Sequence, residues 1–370
     1  MNKSTNRHRR PRSRRARTGI VVGLLLASAG MYLLFWPVPI DAVAWRPAAD
    51  PGFTGPFARN DALAAVEILV EVGDGPEAVA RGRDGLIYTG LQDGRIVRFD
   101  PESDEPPQTF ADTGGRPLGL QFDPRGDRLI VADAFRGLLA VGPDGAVEVL
   151  AGELDGTSLK FVNDLDIGAD GTIWFTDSSQ RFDQHDYMLD LVEGRPTGRL
   201  LSYDPASGET SVHLEGLGFP NGVAIGPGET YVLVAETLYA RITRYEIAGG
   251  ERRAAPFVEA LPGYPDNLSL SPAGDLFWVA LPAARSRPLE RLAGWPRLRE
   301  MLLRVPGVGP PDIEPLGWVI GLSESGEVRH DLQDHGGAFP TVTSATEIDG
   351  YLYLGSIASR AVARIPVPRR

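Results

Sequence analysis

The chain has 370 residues, with 37 Lys or Arg against 49 Asp or Glu, a net charge of −12 and no cysteine. The missing cysteine excludes thiol nucleophiles and zinc–thiolate sites and leaves the redox compartment unreadable. One Lys and seven Arg fall in residues 1–18, so 29 basic residues face 49 acidic ones in the rest. A body that acidic repels nucleic acid, and no nucleic-acid partner is expected.

From Gly19 to Ile40 no residue is charged, and the stretch ends with Tyr32, Trp36 and two prolines. That length crosses a hydrocarbon core, with aromatics where the interface would hold them. The reading is a basic cytoplasmic tail at 1–18, a transmembrane signal anchor at 19–40, a linker at 41–60 and a propeller at 61–370 on the periplasmic or extracellular side. A cleaved signal peptide is the competing reading, because Ala27-Ser28-Ala29 resembles a small-residue cleavage site. The apolar run continues past that point through Phe35 and Trp36, which favours the anchor.

From residue 61 onward the chain repeats. The units are aligned on Glu77, Leu118, Asn163, Asn221, Asp266 and Val342, with spacings of 41, 45, 58, 45 and 76 residues. Each carries an alternating segment, a turn containing glycine, an aliphatic–aromatic run such as 172–176 or 231–235, and a further strand such as 94–100, 199–204 or 241–246. Turn dipeptides between β-branched and aromatic runs mark hairpins. Six such meanders expose strand edges unless they close into a ring. The fold is therefore expected to be all-β, a six-bladed β-propeller with an N-terminal transmembrane helix and a short helical insertion. Residues 66–72 should supply the outer strand of the blade that the C-terminal strand ends. The 76-residue spacing holds the insertion, about 283–316. There Leu289, Leu292, Trp295, Leu298, Met301, Leu302 and Val305 fall at helical spacing, broken at Pro296. It can pack on the propeller face, cover a pocket or touch the bilayer.

One register of the repeat carries Glu77, Asn163, Asn221, Asp266 and Asn267. Arranged around an axis, these side chains converge, and carboxylate and amide oxygens without sulfur or imidazole describe a hard-cation site, calcium above all. They can equally cap strand starts or hold an ion that only staples the blades. The other candidates are weaker. His335 is a possible proton carrier. Leu118, Phe219, Tyr264, Phe339, Thr343 and Trp318 are possible pocket residues that could as well be propeller core. His185 and His213 read as surface or strand positions, Asp177-Ser178-Ser179 as a turn rather than a serine nucleophile, and Glu236 as an inter-blade hydrogen-bonding group.

The words FVNDL at 161–165, FTDSS at 175–179, GRLLSYDP at 198–205, FPNGVA at 219–224, LVAET at 233–237, RITRY at 241–245 and LPGYPDN at 261–267 closely resemble the strictosidine synthase-like family. Within it the membrane-anchored, adipocyte plasma membrane-associated group is most similar, having the same anchor, order of words and inserted segment. The resemblance extends to the paraoxonases and the gluconolactonase (SMP-30) group, six-bladed calcium-dependent hydrolases. It implies Ca2+ held by Glu77, Asn163, Asn221, Asp266 and Asn267. As a ligand, Asp266 can also act as nucleophile or as base toward water. It implies a small-molecule ester or lactone substrate and membrane attachment through the N-terminal anchor. Two departures stand out: Leu118 lies near the register where paraoxonases place a histidine, and Thr343 aligns with the glutamate that strictosidine synthase uses for condensation. A non-catalytic, calcium-stapled propeller that binds a ligand or protein is the alternative, and a condensing enzyme of the strictosidine type is the remote one.

Overall fold

A computed structural model describes residues 12–247, 253–309 and 316–369. Six four-stranded antiparallel sheets follow one another along the chain. Their innermost strands are Val79–Arg81, Pro117–Phe122, Val162–Ile167, Pro220–Ile225, Leu268–Leu270 and Val342–Ile348. Every residue of the aligned register sits at the start of one of these strands or within two residues before it. The molecule is a six-bladed β-propeller, as the repeat requires.

The ring closes as the sequence predicts. Strand Glu67–Glu71 pairs antiparallel with the C-terminal strand Ala361–Pro366, with Glu67 opposite Arg364. The Arg364 guanidinium clasps Glu67 Oε2 at 2.7 Å and also reaches Glu102 in the first blade. Without this strand the last blade would lack its outer edge.

Side-chain alternation explains why the middle strands read as unbroken apolar runs. Neighbouring residues in a strand point to opposite faces, and here both faces meet another blade. Phe277 packs toward Leu233 and Ile242 of the fourth blade, while adjacent Trp278 packs toward Leu352 and Leu354 of the sixth. Trp174 and Phe175 divide the same way between the fourth and second blades. Polar staples cross the same seams near the axis. Val223 N–H and Ile225 N–H donate to Asp164 Oδ2 at 3.1 Å and Asp166 Oδ2 at 2.7 Å. Ser344 Oγ donates to the Glu77 carbonyl at 2.6 Å. The sixth blade approaches the first so closely that a Cβ on Gly355 would lie 1.8 Å from that carbonyl oxygen, so glycine is required there.

Among the described residues four α-helices accompany the ring: α1 (Arg12–Phe35), α2 (Tyr187–Glu193), α3 (Arg287–Arg291) and α4 (Pro296–Leu303). In α1, residues Thr18–Phe35 are long and apolar enough to cross a membrane and are not buried against the propeller. The helix stops just before Pro37, whose ring cannot continue it. α3 and α4 form the expected insertion, with Pro296 at the first turn of α4; residues 310–315 lie outside the described residues. α2 lies between the second and third strands of the third blade. Its Tyr187, Met188, Leu191 and Val192 lie at helical spacing, and Gly194 ends it in the left-handed conformation at φ 68°.

Residues 41–60, expected as a linker, are docked instead. Val43 N–H donates to the Glu193 carbonyl and Trp45 N–H to the Ala293 carbonyl. Phe53 and Phe57 pack on Trp318. Leu63 follows, fully buried among Trp278, Phe339 and Val342 at the seam of the fifth and sixth blades. Leu63→Ala opens a cavity at that seam and is expected to cost about 2–5 kcal/mol; a urea unfolding midpoint unchanged from wild type would contradict this packing.

Candidate functional site

Glu77, Asn163, Asn221 and Asp266 come together at one end of the axial shaft, in the floor of a cleft of about 510 Å3. Each sits where an inner strand begins, so four segments far apart in sequence deliver one oxygen-bearing side chain apiece. All four are buried. Asn163 Nδ2 donates to Ser178 Oγ at 2.9 Å, which turns its carbonyl oxygen inward. Asn163 Oδ1, Asn221 Oδ1 and Asp266 Oδ1 are buried without a hydrogen-bond partner. Leaving one such group unsatisfied costs about 1–3 kcal/mol, so three together at an axis call for a ligand.

The charges give the same indication. Burial raises the pKa of Asp266 well above the usual carboxylate range, and the nearby Glu77 and Asp164 carboxylates push it further. Burial also raises Glu77, opposed by Arg116, whose Nη2 donates to Glu77 Oε2 at 3.0 Å and to the Gly75 carbonyl at 2.9 Å. Asp164, buried just below Asn163, is pushed up to about 8 by desolvation. Two or three buried carboxylates thus share one arginine, an arrangement that a divalent cation relieves. Among the described residues no three His, Cys, Asp or Glu side chains cluster as a metal site. The available donors are two carboxylates and amide oxygens, a set suited to a hard cation.

Asn267 is not in this cleft. It instead borders a second depression at the other end of the shaft, with Asp164, Asp166 and Ser344. Both polar atoms of the Asn267 side chain are nevertheless buried and unpartnered.

Of the expected pocket residues, Leu118, Phe219 and Tyr264 line the cleft. Phe339 and Thr343 do not. Phe339 is core between the fifth and sixth blades, and the Thr343 hydroxyl donates to the Glu77 carbonyl at 3.1 Å. Trp318 is also core, with its indole N–H donating to Asp331 Oδ1 at 2.6 Å. His335 lies outside the cleft, its Nε2 2.7 Å from Gln333 Oε1 and its ring edge on Phe53. The docked segment that was read as a linker holds it there.

Asp177 pairs with Arg199 at 2.6 Å, Ser178 donates to the Pro220 carbonyl, and Ser179 donates to Asp190; these contacts make a structural turn. His213 lies 2.7 Å from Ser202 Oγ against Trp174, and His185 stacks on Phe135. Glu236 accepts from Arg241 and Thr243 of its own blade and from Gly218 N–H in the connection between the third and fourth blades.

Three features were not read from the sequence. Arg116 provides the counter-charge to Glu77. Helix α2 forms the lip of the cleft with Tyr187, Met188 and Leu191, and Thr341 and Ile357 complete the rim. The 187–192 spacing was a usable signal for α2; Arg116 had none.

These observations define a propeller with an oxygen-lined axial site beneath an apolar cleft. The family profile described as strictosidine synthase matches residues 163–250, and the profile for the strictosidine synthase-like N-terminal region matches residues 55–99. The chain is 37% identical over 370 residues to the adipocyte plasma membrane-associated protein of Rattus norvegicus, covering 94% of this chain and 97% of that one. It is 33% identical over 362 residues to the protein strictosidine synthase-like 6 of Arabidopsis thaliana, covering 94% and 93%. The chain belongs to the strictosidine synthase-like family. In fold it is similar to a gluconolactonase from Xanthomonas campestris, with a TM-score of 0.60 at 17% identity over 90% of this chain and 97% of that one. It is also similar to a calcium-binding regucalcin from Agrobacterium tumefaciens, with a TM-score of 0.57 at 13% identity over 81% and 93%.

The lip carries a pH-sensitive group. Asp190 in α2 is pushed up to about 7 by burial and by Glu193, against the Ser179 hydrogen bond and Arg181. A folded-state pKa above the unfolded one means that stability is complete at low pH and is lost as pH rises through about 7. Asp190→Asn should therefore raise the melting temperature relative to wild type more at pH 8 than at pH 5, because the unfolded carboxyl already ionises at about pH 4. Equal shifts at both pH values would show that Asp190 is ionised in the folded protein.

Proposed function

We propose that the protein is a membrane-anchored, calcium-dependent hydrolase of esters or lactones, its propeller on the periplasmic or extracellular side. The observation that carries this reading is the set of unpartnered buried oxygens of Asn163, Asn221 and Asp266 around the Glu77–Asp266 charge. Glu77 and Asp266 would neutralise a dication, and Asn163 and Asn221 would add neutral oxygens, with Asn267 approaching from below. When bound, the ion would supply Lewis-acid polarisation of a carbonyl oxygen.

The chain's own residues do the rest. Leu118, Phe161, Phe219 and Leu191 make walls that exclude water and accept the hydrocarbon part of a substrate. The Tyr264 phenol, pushed up to about 12 mainly by burial, stays protonated, and its oxygen accepts from Ser286 N–H at 2.9 Å, which ties the wall to the start of the insertion. Asp266 is the one carboxylate facing the cleft without a paired arginine, which places it to take a proton from water. The Thr343 position offers a hydroxyl engaged with a backbone carbonyl instead of an acid, which argues against condensation chemistry of the strictosidine type.

Phenyl and naphthyl acetate and a lactone panel, assayed with chelator and after calcium is restored, test the reading. Activity should vanish and return, and Asp266→Ala should lose about 100-fold or more in kcat/KM while remaining folded. Full activity in that variant would remove Asp266 from the mechanism. No turnover on the whole panel, with a melting temperature that falls on chelation, would identify the ion as a staple of a non-catalytic propeller. Calcium at about 100 times its Kd should stabilise the wild type by about 2.7 kcal/mol, and Glu77→Gln should need more calcium for the same shift. Elemental analysis that finds no calcium in the purified protein, together with no thermal response to it, would reject the metal.

A further inference from the structure

Three buried or half-buried arginines tie the insertion to the exit of the apolar helix. Arg304, at the end of α4, donates through Nε to the Trp36 carbonyl at 2.5 Å and through Nη1 to the Leu33 carbonyl at 3.2 Å. These belong to the last turn of α1 and the residue just beyond it, where helix carbonyls lack intrahelical partners. Arg299 stacks on Trp45 and donates to the carbonyls of Val43, Val192 and Glu193, joining α4 to the docked segment and to α2. Arg285 donates to the Ala48 carbonyl at 2.6 Å. The insertion and the end of α1 are therefore held as one unit.

That unit carries an apolar surface that none of the described residues covers. Trp295 is 66% exposed, Leu298 40% and Val308 42%, beside Phe35 at 68% and Trp36 at 60% on the end of α1. The exposed Arg287, Arg291 and Arg297 lie in the same insertion. Eighteen helical residues, Thr18–Phe35, rise about 27 Å, so a span that begins at Thr18 delivers Trp36 to the far headgroup region. The Arg304 hydrogen bonds then fix the end of α4 at that depth, and eight residues of α4 extend about 12 Å from it. Tryptophan and leucine next to arginine are the side chains that settle at a lipid interface.

We propose that the α3–α4 insertion is a second membrane contact, lying in the interface of the leaflet from which α1 emerges. Trp295, Leu298 and Val308 enter the boundary between headgroups and acyl chains, and Arg287, Arg291 and Arg297 meet lipid phosphates. The contact is continuous with the end of α1 and rests on α1 being a membrane span; it does not depend on hydrolytic activity. Because Arg299 pins α2 to α4, the lip of the axial cleft is held close to the same surface.

The cysteine-free chain allows a direct test. Single cysteines replace Trp295, Leu298 or Val308, with Gly23→Cys in α1 as the lipid control and Val149→Cys on an outer strand of the second blade as the water control. The full-length variants, checked for an unchanged thermal transition, are spin-labelled and reconstituted in vesicles of phosphatidylcholine and phosphatidylglycerol. Collision rates are then measured with oxygen and with a water-soluble nickel chelate. The oxygen-to-nickel ratio at 295, 298 and 308 should exceed that at 149 several-fold, approaching that at 23. Ratios equal to that at 149, with 23 immersed in lipid, overturn the insertion contact and leave the anchor standing. A water-exposed label at 23 overturns both. Labels at 295 and 298 that are immobilised but shielded from both reagents would show a protein partner on this face and also overturn the proposal.

Discussion

The structure depends on the burial of both faces of its blades. Each middle strand divides alternate side chains between two neighbours, as Phe277 and Trp278 do, so no blade has a complete core of its own. Only a closed ring satisfies every face, which gives the pairing of Glu67–Glu71 with the C-terminal strand its importance. Closure brings six inner strands to a common axis, and their starts become the one place where distant segments can place side chains against each other.

What those starts carry conflicts with ordinary packing. A propeller axis could be filled with aliphatic groups, yet here Glu77, Asn163, Asn221 and Asp266 are buried with three oxygens unpartnered. Arg116 offsets part of the negative charge by donating to Glu77, while no arginine pairs with Asp266 among the described residues. The destabilising element is concentrated where a ligand can relieve it, and rigid inter-blade staples such as Asp166 to Ile225 hold it in place. Above this polar floor the cleft is walled mainly by apolar side chains, so polar and apolar surfaces are separated by depth.

Much of the architecture could be read in advance because it is periodic. The six-fold recurrence at spacings of 41 to 76 residues, the closing strand at 66–72 and the helical pattern of 283–316 are local or repeating signals, and each corresponds to an element in the structure. Single residues beside the repeat were less legible. Phe339 and Trp318 are large aromatics near the register, as Phe219 is, but only Phe219 turns into the cleft; rotation about the axis decides this, and no spacing encodes it. His335 lies a few residues before a blade whose register faces the axis, yet the docked segment around Phe53 holds it elsewhere.

By itself the sequence determined the class of fold, the presence of an apolar helix and the oxygen-only character of the candidate site. These follow from side-chain chemistry and from periods of two, 3.6 and about 45 residues, all of which survive without knowledge of contacts. Only the tertiary structure decided that Asp266 lines the cleft while Asn267 borders the depression at the opposite end, that Arg116 meets Glu77, and that residues 41–60 are docked instead of extended. Those outcomes depend on which segments the closed ring makes neighbours, and contacts between positions hundreds of residues apart leave no mark in a local pattern.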